Sequence, residues 1–141
     1  FTNVSVGRGT NFPFEIFGAS YIEEKEFVRK LDLARLPGLS FVPIRFTPTA
    51  SKFEDEECGG VRIILKDPEK FPSVELGVLL AQTLRELYPD QWETKKLNTL
   101  LRHPPTETAI NELKPRMEIV KSWEAELENF SLRRAGILLY R

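Results

Sequence analysis

The chain has 141 residues, 41% hydrophobic and 29% charged, with a formal net charge of −1 at pH 7. That is enough for one domain with a sizeable core, and too balanced a charge to point to nucleic acid or an anionic membrane as partner. One cysteine and one histidine leave no internal disulfide and no His/Cys metal cluster, and no apolar run approaches the ~20 residues of a membrane helix.

The opening stretch NVSVGRGT alternates Val4 and Val6 with Asn3 and Ser5, the pattern of a half-buried strand over 3–8. Gly7 and Gly9 break it, since glycine reaches backbone angles that other residues avoid. The predicted result is a strand ending in a tight turn that throws Arg8 outward. Arginine presents five donors in a rigid fork suited to carboxylate or phosphate, and Thr10 adds a hydroxyl. Taken alone, such a Gly-x-Gly turn with a solvated arginine is common. NFPFEIFG follows, with a second strand over 14–17. Glu15 is its one acid. An acid among apolar neighbours is a candidate proton donor; the competing reading is a solvent-facing carboxylate or a partner for Arg8.

Phe27, Val28 and Leu31 mark one face of a helix over about 23–34, with glutamates in its first turns and basic residues at its end, as the helix dipole prefers. Pro37-Gly38 stops it. FVPIRFT (41–47) reads as an edge strand, because Pro43 and Pro48 donate no backbone hydrogen bond. Thr47, ahead of the polar loop SKFEDEE, and Lys52, on that loop, could face a ligand, although most such residues are simply solvated. Cys58-Gly59-Gly60 leads into VRIILK (61–66), whose Ile63-Ile64-Leu65 run predicts a buried strand.

SVELGVLLAQTLRELY, within 72–88, carries the widest apolar stripe and should cover a sheet. Gly77 in its interior costs about 1 kcal/mol against Ala, which predicts a close packing contact. Leu97, Leu100 and Leu101 give a short helix; Thr106 is placed to cap the next, whose face is Ala109, Ile110 and Leu113. A last helix over about 117–134 would bury Ile119, Val120, Trp123, Leu127 and Phe130, with the apolar tail 137–140 packing back. Trp92 and Trp123 are candidate sugar platforms, Trp123 being better placed for the core. Cys58 has no histidine near it in sequence and the lone His103 lies beside two prolines, which leaves a nucleophile–base pair open but poorly supported.

The motifs TNVSVGRGT, PFEIFGA, FTPTASK, CGGVRI and SWEAELENF…RRAGILLY, in that order over nearly the whole chain, resemble the C-terminal part of the bacterial exo-β-N-acetylmuramidases. These glycoside hydrolases of peptidoglycan turnover release terminal N-acetylmuramic acid from glycan fragments. The usual glycine before Thr-Asn is Phe1 here, the usual Pro-Trp is Ser20-Tyr21, and the usual aromatic after FTPT is Ala50. The resemblance implies a two-domain enzyme. Its N-terminal Rossmann-like domain, absent from this chain, would carry the main catalytic carboxylate, and the substrate cleft would lie between the domains. It also implies a periplasmic or extracellular location and a peptidoglycan-derived saccharide as partner. Arg8 would read the lactyl carboxylate of muramic acid by a bidentate pair. Asn3, Thr10 and Glu15 would bond ring hydroxyls or the acetamido group, with Thr47 and Lys52 alongside. Glycosidases need two carboxyl groups astride the scissile bond, and Glu15 is this chain's candidate for one.

The expected architecture is α+β: a small mixed or antiparallel sheet covered by helices, with a helical C-terminal half, forming a single domain over 1–141. No metal and no cofactor is expected. The alternative functions are a structural accessory domain, or a carbohydrate- or phosphate-binding module of an unrelated enzyme.

Overall fold

The computed structural model describes residues 2–139. Among them three strands form one antiparallel sheet in the order β1-β3-β2: β1 Ile16–Ala19, β2 Leu39–Phe46 and β3 Cys58–Leu65. β3 is central, pairing Ile16 with Arg62 on one side and Phe46 with Cys58 on the other. Successive side chains of a strand face opposite ways. Val61 and Ile63 therefore join Phe17, Ala19, Leu39 and Phe41 in the main core. Cys58 joins Ile16, Ile44 and Phe46 in a smaller cluster on the opposite face.

On the first face α1 (Glu24–Asp32) packs against β2 and β3. Its Phe27, Val28 and Leu31 are buried, and the Glu23 carboxylate caps the N–H groups of Lys25 and Glu26. In α2 (Ser73–Leu87), Leu76, Leu79 and Leu84 are buried. Phe27 sits at the junction, stacked on Phe17 at 6.2 Å and against Tyr88 at 6.4 Å between ring centroids. α3 (Leu97–Leu101), α4 (Pro104–Asn111), α5 (Arg116–Lys121) and α6 (Glu124–Ala135) follow. α2 packs mainly against α1, α4 and α5 rather than covering the sheet as its wide apolar stripe predicted. The whole is the expected α+β arrangement.

Several local expectations are corrected. Residues 3–8 are not a strand: a single bridge joins Ser5 to Gly18, because the turn at Gly7 takes the chain away before a ladder can form. The continuous burial expected of β3 stops halfway, with Ile64 and Leu65 exposed. Gly77 is not packed closely; nothing lies within 4 Å of where its Cβ would stand. α4 is capped by His103, not Thr106: the ring Nδ1 accepts the Thr106 N–H, and Thr106 itself is buried. The long last helix is broken at Ser122–Trp123, where Trp123 Nε1 turns inward to donate to Thr106 Oγ1 at 2.8 Å. As a result α6 buries no residue. Leu127 and Phe130, expected in the core, are more than half exposed, and Ile137, Leu138 and Leu139 do not pack back. Tyr140 lies outside the described residues.

Candidate functional site

Among the described residues, the second face of the sheet is covered by residues 7–15 and the β2–β3 loop, with Phe12 and Phe53 packed on Ile16, Phe46 and Cys58. Two tight turns shape the first of these segments. In Gly7-Arg8-Gly9-Thr10 the Gly7 carbonyl accepts both the backbone N–H and the hydroxyl of Thr10, at 3.1 and 2.7 Å. Gly9 has φ +79°, and a Cβ there would stand 2.2 Å from Thr49 Oγ1, so only glycine fits. Thr49 Oγ1 donates to the Gly9 carbonyl at 2.9 Å and fastens the turn to the β2–β3 loop. The second turn is Phe12-Pro13-Phe14-Glu15, closed by the Glu15 N–H on the Phe12 carbonyl at 3.1 Å.

Arg8 is thrown outward as expected. It makes no ion pair among the described residues, and its guanidinium stands 5.1 Å from the Phe14 ring centroid. Glu15 does not pair with Arg8. It is exposed and takes Arg62 Nη2 at 3.1 Å, so it is not the apolar-surrounded acid that the sequence pattern described. Arg62 lies flat over Phe12, 3.7 Å from the ring centroid, and its Nε is buried without a partner. Sequence reading passed over Arg62. The available signal was its place on the same strand face as Cys58, opposite the core residues Val61 and Ile63.

Beside the Arg8 turn is a hollow of about 340 Å³, walled by Gly9, Thr10, Phe12, Arg45, Phe46 and Thr47 among others, with Arg45 paired to Glu24 and Glu57. It is at the small end for a ligand site. Thr10 and Thr47 are thus brought together. Lys52 is exposed on the adjoining loop, where Ser51, Phe53 and Asp55 all have positive φ. Asn3 is engaged elsewhere. Its amide donates to the Gln91 carbonyl at 2.7 Å and accepts the Glu93 N–H at 2.8 Å, clipping the N-terminal segment to the end of α2.

The remaining candidates go to packing. Trp92 is buried, and Trp123 is half-buried and bonded to Thr106. Cys58 is fully buried, and burial pushes its thiol up to about 11, the opposite of an activated nucleophile. A larger hollow of about 880 Å³ lies against α6, lined by His103, Trp123, Leu127 and Phe130 among others. His103 Nδ1 is held by Thr106 Oγ1 at 2.7 Å, and Glu126, Asn129 and Arg133 also line this trough, all exposed on α6. The smaller hollow by Arg8 is the one that Thr10 and Thr47, both candidates from the sequence, line together.

Fold and site together describe a small α+β domain with a glycine-shaped polar turn beside one edge of its sheet. Comparison with known proteins gives it a place. Residues 1–140 match the family described as exo-β-N-acetylmuramidase NamZ, C-terminal, and the chain belongs to that family. It is 36% identical to the peptidoglycan β-N-acetylmuramidase NamZ of Bacillus subtilis (strain 168), over 99% of this chain and 34% of that protein. The chain therefore spans about a third of the curated relative's length. A crystal structure of a DUF1343 family protein from Bacteroides fragilis NCTC 9343 has the same fold. Its TM-score is 0.78 at 23% identity, covering 99% of this chain and 38% of that one.

Proposed function

We propose that this chain is the C-terminal domain of a two-domain exo-acting β-N-acetylmuramidase and completes the cleft that holds a terminal N-acetylmuramic acid. The full protein would work on peptidoglycan fragments in the periplasm or outside the cell. The observation that carries this reading is the Arg8 turn. Glycine geometry and the Thr49 clamp fix a turn that leaves the Arg8 guanidinium without an ionic partner among the described residues, beside a hollow lined in part by Thr10, Arg45 and Thr47. A rigid fork of this kind suits the lactyl carboxylate that distinguishes muramic acid from glucosamine. Thr10 and Thr47 would bond ring hydroxyls, and Lys52 would add positive charge from the loop. Asn3, whose amide ties two chain segments together, would hold the rim in place.

Hydrolysis of a glycoside takes two carboxyl groups, and these fall to the N-terminal domain in this reading. Glu15 then serves to fix Arg62 over Phe12. A chromogenic β-N-acetylmuramide assays the proposal. The full-length protein should cleave it and the 141-residue chain alone should not. Turnover by the isolated chain would place the catalytic carboxylates here and overturn the assignment.

One observation favours the purely structural alternative. α6 exposes Leu127 and Phe130, neighbours on one face at i, i+3, an apolar surface suited to a neighbouring domain. That role is compatible with the cleft, since the two surfaces lie on different elements.

A further inference from the structure

Phe14 stands out among the described residues. It occupies the third position of a turn whose second position is Pro13, with φ +67° and the closing hydrogen bond from Glu15 to Phe12. This is the type II arrangement, whose third position normally takes glycine or asparagine because a side chain is strained there. A phenylalanine in that place needs a reason, and packing does not supply one, because the residue is 68% exposed. Its backbone is nevertheless well held: the Phe14 N–H donates to the Val6 carbonyl at 2.8 Å. Phe12, two residues earlier, shows what a packing aromatic looks like in the same segment. It lies partly buried under Arg62 against the small second cluster.

We infer that Phe14 is a carbohydrate-stacking residue, the ring on which a pyranose of the glycan rests beside Arg8. This rests on the muramidase-domain reading and adds a residue to it. The chemistry follows from the ring. An aromatic face carries negative charge density, and a β-linked glucosamine-type pyranose turns a face of axial C–H groups, polarised by its oxygens, towards it. The Arg8 guanidinium lies over one side of the ring, 5.1 Å from its centroid, which leaves the opposite face for the sugar. Strain of this kind gathers at binding sites, where the surroundings over-determine the backbone. Here Pro13, the Val6 bond and the Gly7–Thr10 turn do so.

The strain supplies the test, because stacking and stability should separate. In the full-length protein, Phe14→Gly removes the ring and puts at a positive φ the residue that accepts it. The probe is an S-linked N-acetylmuramyl-β-1,4-N-acetylglucosamine disaccharide, which binds without being cleaved, titrated by calorimetry. Phe14→Gly should weaken binding about tenfold, as loss of an aromatic contact does, with a melting temperature equal to or above wild type. Phe14→Tyr should bind nearly as wild type. Unchanged affinity in Phe14→Gly overturns the inference, as does a melting temperature lowered by several degrees, which would show the ring packing against another part of the protein. The underlying reading is judged separately. If binding depends on Phe14 but the wild type does not hydrolyse the O-linked disaccharide, the muramidase assignment falls and the platform stands. If wild type hydrolyses it and Phe14→Gly binds equally well, the platform falls alone. A wild type that binds no disaccharide removes both.

Discussion

Asn3→Ala separates a substrate ligand from a structural clip. The Asn3 amide donates to Gln91 O at 2.7 Å and its carbonyl accepts Glu93 N–H at 2.8 Å, joining segments 88 and 90 residues apart in sequence. Tyr21 Oη adds a bond to the Asn3 backbone carbonyl at 3.1 Å, which the substitution leaves in place. A hydrogen bond contributes about 0.5–1.5 kcal/mol net. The substitution also removes a longer, part-buried contact from Tyr21 Oη to Asn3 Oδ1 at 3.4 Å; the bonds to Gln91 and Glu93 are near solvent, so water re-solvates both groups, and the sum should fall at about 1–2 kcal/mol. The loss is local, so the assay should be local too. Amide exchange across residues 88–94 of the full-length protein, read by mass spectrometry, should quicken by roughly 5–30-fold if opening becomes that much easier. Hydrolysis of a muramic acid glycoside should change little. Unchanged exchange at Glu93 with a large fall in kcat/KM would refute the reasoning and return Asn3 to the substrate.

Phe27→Ala should destabilise the domain by roughly 3–5 kcal/mol, since the ring is fully buried between Phe17 and Tyr88; an unchanged denaturation midpoint would count against the core described. Trp123→Phe should cost about 1 kcal/mol by removing the donor to Thr106 Oγ1, and near-neutral behaviour would show that this bond does not set the α5–α6 break. Burial raises the Cys58 thiol from 9.0 to about 11. The unfolded chain therefore gives up its proton first, and this share of stability is present below pH 9 and lost as pH rises from about 9 to about 11. Cys58→Ala should make the decline of the unfolding midpoint over that window shallower, whereas an identical slope would assign the decline to other groups, such as Tyr21 and Tyr88, whose hydroxyls burial also raises.

The sequence was informative wherever a period repeated against a single large core. The stripes of Phe27-Val28-Leu31 and Leu76-Leu84 located α1 and α2, and the apolar runs around Phe41 and Val61 located β2 and β3. It was misleading where one residue decided the outcome. Val4 and Val6 have strand spacing, yet Gly7 turns the chain after a single bridge at Ser5. No glycine or proline marks the break at Trp123; a side-chain bond to Thr106, distant in sequence, accompanies it. The alternation of Leu127 and Phe130 with glutamates predicts that a face will be covered, but carries no information about what covers it. At the candidate site, the Gly-Arg-Gly-Thr turn was legible because glycine at positive φ is a local rule. Arg62 and Phe14 were not, because the meaning of each depends on a register or a turn type that only the folded chain fixes.

The claim that this domain helps to recognise muramic acid rests most directly on Arg8. In the full-length protein, kcat/KM should be measured for matched chromogenic glycosides of N-acetylmuramic acid and N-acetylglucosamine, in wild type, Arg8→Lys and Arg8→Ala. Arg8 makes no ion pair with the described residues, so both variants should fold. Arg8→Lys keeps the charge but loses the planar fork. Arg8→Ala should cost about 2–5 kcal/mol on the muramic acid substrate if the pair with the lactyl carboxylate is buried, with Arg8→Lys in between and little change on the glucosaminide. Equal losses on the two sugars would contradict the account, and Arg8 would then be a general support of the turn.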